Sequence, residues 1–254
     1  MKDARESYRD YYKEQATAIG GDERFTWVMQ EILKDVSGKK VLDVGCGEGT
    51  LLRMLRDAGN EVQGVDAAQT GKDLCVSKGL PCEVVDISRG AFPLADDAFD
   101  VVLCLETLEH LENPYHCISE IKRVLKKGGM FVASIPNPKS LHGYIYPGLF
   151  EFDNFEAFLE LNGFKVTRQA WWGQNTMFNG LSRRLAACGC TWGQGLERFI
   201  YYLSRKRNAF LRNHCSTPRD WCWSLNFVCV NEVKHTDVLH EIAVETTPSD
   251  KRRS

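Results

Sequence analysis

Three glycines and two carboxylates, set at the ends of apolar runs, outline a place where a ligand can approach the backbone. In Val41-Leu42-Asp43-Val44-Gly45-Cys46-Gly47-Glu48-Gly49-Thr50 the glycines follow an apolar run and open a helical pattern. Glycine there lets the chain turn sharply and come close to a ligand where a side chain would clash. The helix N-terminus that follows offers free N–H groups and a positive dipole end, suited to a carboxylate. An ordinary glycine-rich strand-to-helix turn is the plain alternative, and the two aspartates argue against it. Asp43 ends the first run, and Asp66 ends the second, Glu61-Val62-Gln63-Gly64-Val65-Asp66. An acidic side chain at that second place can accept hydrogen bonds from both hydroxyls of a ribose. The order Asp-x-Gly-x-Gly-x-Gly departs from the Gly-x-Gly-x-x-Gly of dinucleotide binders, which leaves a nicotinamide dehydrogenase as the runner-up.

A second group of residues could move a proton. His110 follows the fourth apolar run, in Cys104-Leu105-Glu106-Thr107-Leu108-Glu109-His110. Its side chain titrates near neutrality and suits a general base, with Glu109 or Glu106 to orient it or stabilise its charge. A histidine that only caps the turn or packs beneath a pocket is the structural alternative. If 106–110 is a helical turn, Glu106, Glu109 and His110 share one face at i, i+3 and i+4, which would also suit a divalent metal, with His142 as a further ligand. No second histidine motif accompanies His142, and no metal is expected.

These residues need a frame. Short apolar runs alternate with helical patterns over 40–165, the signature of β-α-β units and a parallel sheet. Strands are predicted at 40–45, 61–66, 82–86, 99–105, 130–135, 164–171 and 225–233, and helices at 25–36 and 154–161. Leu51/Leu52/Leu55 and Ile118/Ile121/Val124/Leu125 fall at helical spacing, with Gly59, Gly79 and Gly128-Gly129 as stops. The expected fold is α/β: a Rossmann-like, doubly wound, mostly parallel seven-stranded sheet. Its expected parts are a helical segment over 1–36, a core over 37–172, an inserted helical lobe over 173–220, the last core strand over 221–233 and a disordered tail over 234–254.

With 254 residues, 43% hydrophobic and 26% charged, the chain can bury a full core, and a net charge of −2 argues against bulk nucleic-acid binding. The N-terminus lacks an apolar signal core and no run reaches the ~20 apolar residues of a membrane span, so a cytoplasmic protein is expected. Cys46, Cys75, Cys82, Cys104 and Cys117 are read as separate, reduced, buried thiols. Cys188, Cys190, His214, Cys215 and Cys222 are residue types that could hold zinc, in a spacing that matches no familiar ligand pattern. The lobe carries eight basic residues against Glu197 over 173–219, with Leu196, Phe199, Ile200, Leu203 and Phe210 opposite Arg198, Arg205 and Arg212. Such a helix over 196–212 can lie on an anionic membrane, or pack on the domain and leave its arginines in water.

The glycine turn, together with 104–114 and Ile121-Lys122-Arg123-Val124-Leu125-Lys126-Lys127-Gly128-Gly129, resembles the class I S-adenosylmethionine-dependent methyltransferases, and within them the ubiquinone-pathway O-methyltransferases. The resemblance covers about 25–170 and the strand near 225–233. It implies S-adenosyl-L-methionine as cofactor, with Asp43, Gly45, Cys46, Gly47 and Gly49 bordering its methionine part and Asp66 with the adjoining Ala67 at its ribose. It places Asp86 and Ile87 at the adenine and Leu105 and Glu106 beneath the sulfonium; a strand-end cap is the other reading of Asp86. The function implied is O-methylation of a small-molecule, lipid-linked or glycan-type acceptor. Alternatives are an RNA 2′-O-methyltransferase, which carries a similar Glu-x-x-Glu-His, and a cofactor-binding scaffold without turnover.

Overall fold

The computed structural model describes residues 21–138, 144–173, 222 and 224–232. In chain order its elements are α1 (Gly21–Glu31), β1 (Lys40–Val44), α2 (Thr50–Asp57), β2 (Glu61–Asp66), α3 (Gln69–Ser77), β3 (Cys82–Val84), β4 (Phe99–Leu105), a 3₁₀ turn (Leu108–His110), α4 (Pro114–Val124), β5 (Leu125–Pro136), α5 (Phe152–Leu161), β6 (Phe164–Trp172) and β7 (Ser224–Asn231). The strands form one seven-stranded sheet in the order β3-β2-β1-β4-β5-β7-β6. β1 to β5 pair in parallel, and β7 runs antiparallel between β5 and β6.

Successive strand side chains point to opposite faces, and both faces are covered. Leu42, Val44, Val102 and Cys104 join a cluster with Ile118 and Ile121 of α4 and Phe155 and Phe158 of α5. Val41, Val101 and Leu103 meet Leu51, Leu52 and Leu55 of α2 and Val28 and Leu33 at the N-terminal side. This two-sided burial is why the strands read as nearly continuous apolar runs. Strand order reverses at β1, which has β2 on one side and β4 on the other. In an open parallel sheet a crevice forms at that reversal, outside the carboxyl ends of the strands.

Several boundaries move. β3 stops at Val84 because Asp86 opens a turn, its Oδ1 accepting from Ser88 N at 3.1 Å. β5 starts at Leu125 rather than 130, since Leu125 pairs with Phe99 before a register shift, so α4 ends at Val124 and not at the glycine pair. α1 spans 21–31 rather than 25–36, and Ile32 and Leu33 pack in the turn beyond it. The last strand is Ser224–Asn231. The lobe helix over 196–212, the tail over 234–254, and the zinc candidates Cys188, Cys190, His214 and Cys215 lie outside the described residues. Among the described residues no helix is long and apolar enough to cross a membrane.

Candidate functional site

The glycine turn is built as its composition requires. Gly45, Gly47 and Gly49 have φ of 76°, 54° and 79°, in the left-handed region that costs side-chain-bearing residues energy. A Cβ on Gly45 would lie 2.4 Å from Thr107 Oγ1, so the turn after β1 packs directly on the turn after β4. Gly45 N and Cys46 N donate to Val65 O at 2.8 and 3.3 Å. Gly47 N donates to Asp66 Oδ2 and Ala68 N to Asp66 Oδ1, each at 2.8 Å. Burial pushes the Asp66 carboxyl up from its ordinary value, and these N–H groups oppose the shift. A carboxylate has about four acceptor positions, so beside the N–H groups of Gly47, Ala68 and Ala67 it keeps capacity for a hydroxyl donor on a ligand.

Asp43, 5% exposed, lies within Coulombic reach of Asp66. Burial first, then Asp66 and Cys75, raise its carboxyl to about 7, while Arg24 pulls it down. Arg24 comes from α1 and is the residue the sequence reading missed. Its guanidinium pairs with Glu106, lies over the Phe25 ring at 4.9 Å, and keeps a buried Nε without a hydrogen-bond partner. No local pattern marks it, because only the docking of α1 on the sheet brings it to the crevice.

The rim after β4 is strained. Glu106 adopts φ 49°, a conformation that costs a non-glycine residue about 1–2 kcal/mol. Its N–H is held by Ser134 O at 2.9 Å and Ser134 Oγ at 3.1 Å. The chain then makes only a single 3₁₀ turn, which parts the three residues expected on one face. Glu106 goes to Arg24, Glu109 is fully buried, and His110 stays 22% exposed. Burial and the neighbouring Glu106 push the Glu109 carboxyl well up. His110 Nε2 is 3.8 Å from Glu109 Oε1, close enough for Coulombic contact and too far for a hydrogen bond. Ile145 N donates to Glu109 O at 3.3 Å and Tyr146 Oη to Glu112 O at 2.7 Å, so the 144–150 segment lies against this rim.

Glu106, Glu109 and His110 do not gather as metal ligands, and His142 lies outside the described residues. Among the described residues the cluster whose ligand atoms do converge is Cys46, Cys75 and Cys82. The thiols read as separate therefore meet, because the turn after β1, α3 and β3 pack at one end of the sheet. Cys46 thus borders the crevice through its backbone, its Sγ being 3.5 Å from Cys82 Sγ. Asp86 is exposed, and its backbone O accepts from Arg89 N and Gly90 N at 3.0 and 2.6 Å, the geometry of a cap. Ile87 is buried in the core, Leu105 is 8% exposed and Ala67 is exposed beside Asp66.

Residues 42–133 match the family described as a methyltransferase domain. The chain is 34% identical over 125 aligned positions to the ubiquinone biosynthesis O-methyltransferase of Bordetella avium, covering 46% of this chain and 51% of that one. To the enzyme of the same name from Methylococcus capsulatus it is 37% identical over 117 positions, 43% and 48% of the two chains. It spans about half the length of the curated relatives it matches. Its fold is that of a SAM-dependent methyltransferase from Archaeoglobus fulgidus, with a TM-score of 0.60, 18% identity and coverage of 87% and 99%. The cyclase SpnF shares it at a TM-score of 0.56, 22% identity and coverage of 84% and 81%. The domain's fold therefore hosts more than one reaction, and the residues in the crevice must decide.

Proposed function

We propose that the chain is an S-adenosyl-L-methionine-dependent methyltransferase acting on an oxygen of a small-molecule acceptor. The observation that carries this reading is the acidic crevice around one guanidinium: Arg24 pairs with Glu106, lies within Coulombic reach of Asp43 and Glu109 and keeps its Nε unused, with Asp66 beside Asp43. A cofactor with a sulfonium, an ammonium and a single carboxylate complements that arrangement. The buried Nε of Arg24, which makes no hydrogen bond, suits its carboxylate, and acidic neighbours suit its two cationic groups.

On this reading Gly45, Gly47 and Gly49 admit the methionine part, Asp66 accepts from the ribose hydroxyls and Leu105 with Glu106 lies beneath the sulfonium. Ala67 lies beside Asp66 at the ribose, and Asp86 and Ile87, just beyond the end of β3, border the adenine. Bound there, the cofactor supplies an electrophilic methyl group. The chain must align the acceptor oxygen with the methyl and take its proton. His110, part-exposed at the rim, takes the proton, and Glu109 beneath it fixes the position of the turn. Calorimetry with S-adenosylmethionine and NAD, followed by labelled-methyl transfer to a metabolite pool, tests the reading; preference for NAD, or binding without transfer to any acceptor, overturns it. For the lobe the proposal is peripheral binding to anionic membrane through 196–212, tested by vesicle sedimentation with Arg198, Arg205 and Arg212 changed together to Glu; equal sedimentation with neutral vesicles rejects it.

A further inference from the structure

Cys46, Cys75 and Cys82 come from three different elements, the glycine turn, α3 and β3, and all three thiols are buried. Their sulfur atoms lie within 4.8 Å of one another, with Cys46 Sγ and Cys82 Sγ at 3.5 Å. Cys75 Sγ is also 3.4 Å from Gly47 O. Space for the sulfurs is set by glycines: a Cβ on Gly64 would come within 2.6 Å of Cys46 Sγ, and one on Gly49 within 2.8 Å of Cys75 Sγ. A zinc–thiolate bond of about 2.3 Å puts sulfurs around one ion about 3.8–4.0 Å apart, which falls inside the observed span.

We infer that these three cysteines form a binding site for one thiophilic divalent cation of the zinc type, directly behind the cofactor turn. Binding replaces up to three S–H protons by three S–metal bonds, with no electron transferred and the protons released to solvent. Gly47 O is the nearest further donor for a fourth position. Charge selects a divalent ion: three thiolates with it carry a net −1, whereas a monovalent ion would leave −2 beside Asp43 and Asp66, which lie within Coulombic reach of Cys46 and Cys82. Ion access runs through the sheet edge, where β3 has only three residues and α3 leaves Leu74 and Val76 exposed, so local opening there is cheap. An ion in this site ties the glycine turn to α3 and β3, which couples its binding to that of any ligand on the turn. The inference does not depend on the proposed function, since metal binding is read without cofactor or acceptor.

The test uses the full chain carrying Cys188→Ser, Cys190→Ser and Cys215→Ser, which removes cysteines far along the sequence and keeps the three here. Reduced, chelator-stripped protein is titrated with Cd2+ and followed by thiolate-to-cadmium absorption and cadmium-113 resonance. The expected result is saturation at one ion per chain and a resonance typical of sulfur-rich ligation, with Zn2+ abolishing both by competition. Adding Cys75→Ser and Cys82→Ser should abolish both signals. No saturable absorption, a resonance typical of oxygen ligation, or an equal signal in that further variant overturns the site. If the further variant does not fold, the first protein still decides by its stoichiometry and resonance.

Discussion

On the β1–β2 side of the crevice, three glycines take left-handed backbone at little cost and two N–H groups hold Asp66 in place. On the β4 side Glu106, a residue with a Cβ, takes the same kind of backbone, and Glu109 is buried beside it with its carboxyl pushed well up. The first side takes its left-handed backbone from its own residue types, and its Asp66 is held by N–H groups of the adjoining turns. The second stores backbone strain at Glu106 and depends on groups from distant elements, Arg24 of α1 and Ser134 of β5. Backbone strain and shifted acids of this kind cluster at functional sites. The β1–β2 side should therefore govern affinity and the β4 side turnover.

The sharpest way to break this division is His110→Ala. Turnover should fall by about 10²–10⁴ and the pH–rate profile should lose its limb near neutrality, while cofactor affinity by calorimetry stays nearly unchanged. Wild-type turnover with a true acceptor would leave positioning as the whole of catalysis. The mirror experiment is Asp66→Ala. It removes the acceptor of the Gly47 and Ala68 N–H groups as well as the proposed ribose contact, and should cost about 2–4 kcal/mol of cofactor binding. Native-like affinity in a folded Asp66→Ala protein would remove the ribose assignment.

What was legible in the sequence follows the same line. The turn, Asp66 and strands β1, β2 and β4 were readable because glycine positions, strand-end acids and two-sided burial leave local marks. The helical face assumed for Glu106, Glu109 and His110 was not what forms, because the left-handed Glu106 starts the turn out of helical register and leaves a single 3₁₀ turn. Arg24 and the meeting of Cys46, Cys75 and Cys82 carry no local signature, since helix docking and the packing of three separate elements create them.

Asp43 links the two sides and should make binding depend on pH. Its carboxyl is held at about 7, above the ordinary 3.8. Between those values the folded chain keeps a proton that the unfolded chain has lost. The stability this gives is fully present below about 3.8 and is lost as pH rises through about 7, with an upper bound of about 4 kcal/mol. A cationic ligand favours the ionised form, so cofactor affinity should rise with pH up to about 7, by at most about tenfold per unit. Calorimetry in buffers of different ionisation enthalpy should show proton release on binding near pH 6, and Asp43→Asn should abolish it. Binding with no proton release in the wild type would mean that Asp43 keeps its proton in the complex.

The smallest effect is expected from Glu109→Gln, which asks whether the β4 side works through charge or through position. Burial and Glu106 favour the protonated acid, and its Oε1 is 3.8 Å from His110 Nε2, so little charge is there to be lost. The amide has nearly the same shape and remains neutral. Unfolding free energy should change by less than about 1 kcal/mol and kcat by less than about threefold, with the His110 limb of the pH profile in place. Glu109→Ala, by contrast, leaves a hole beneath the turn and should cost about 2 kcal/mol or more in stability. A Glu109→Gln enzyme that folds normally but loses turnover as deeply as His110→Ala would show that an ionised Glu109 acts on His110. The strained rim would then work as a charged pair, and Arg24 and Glu106 would be the groups that set its protonation.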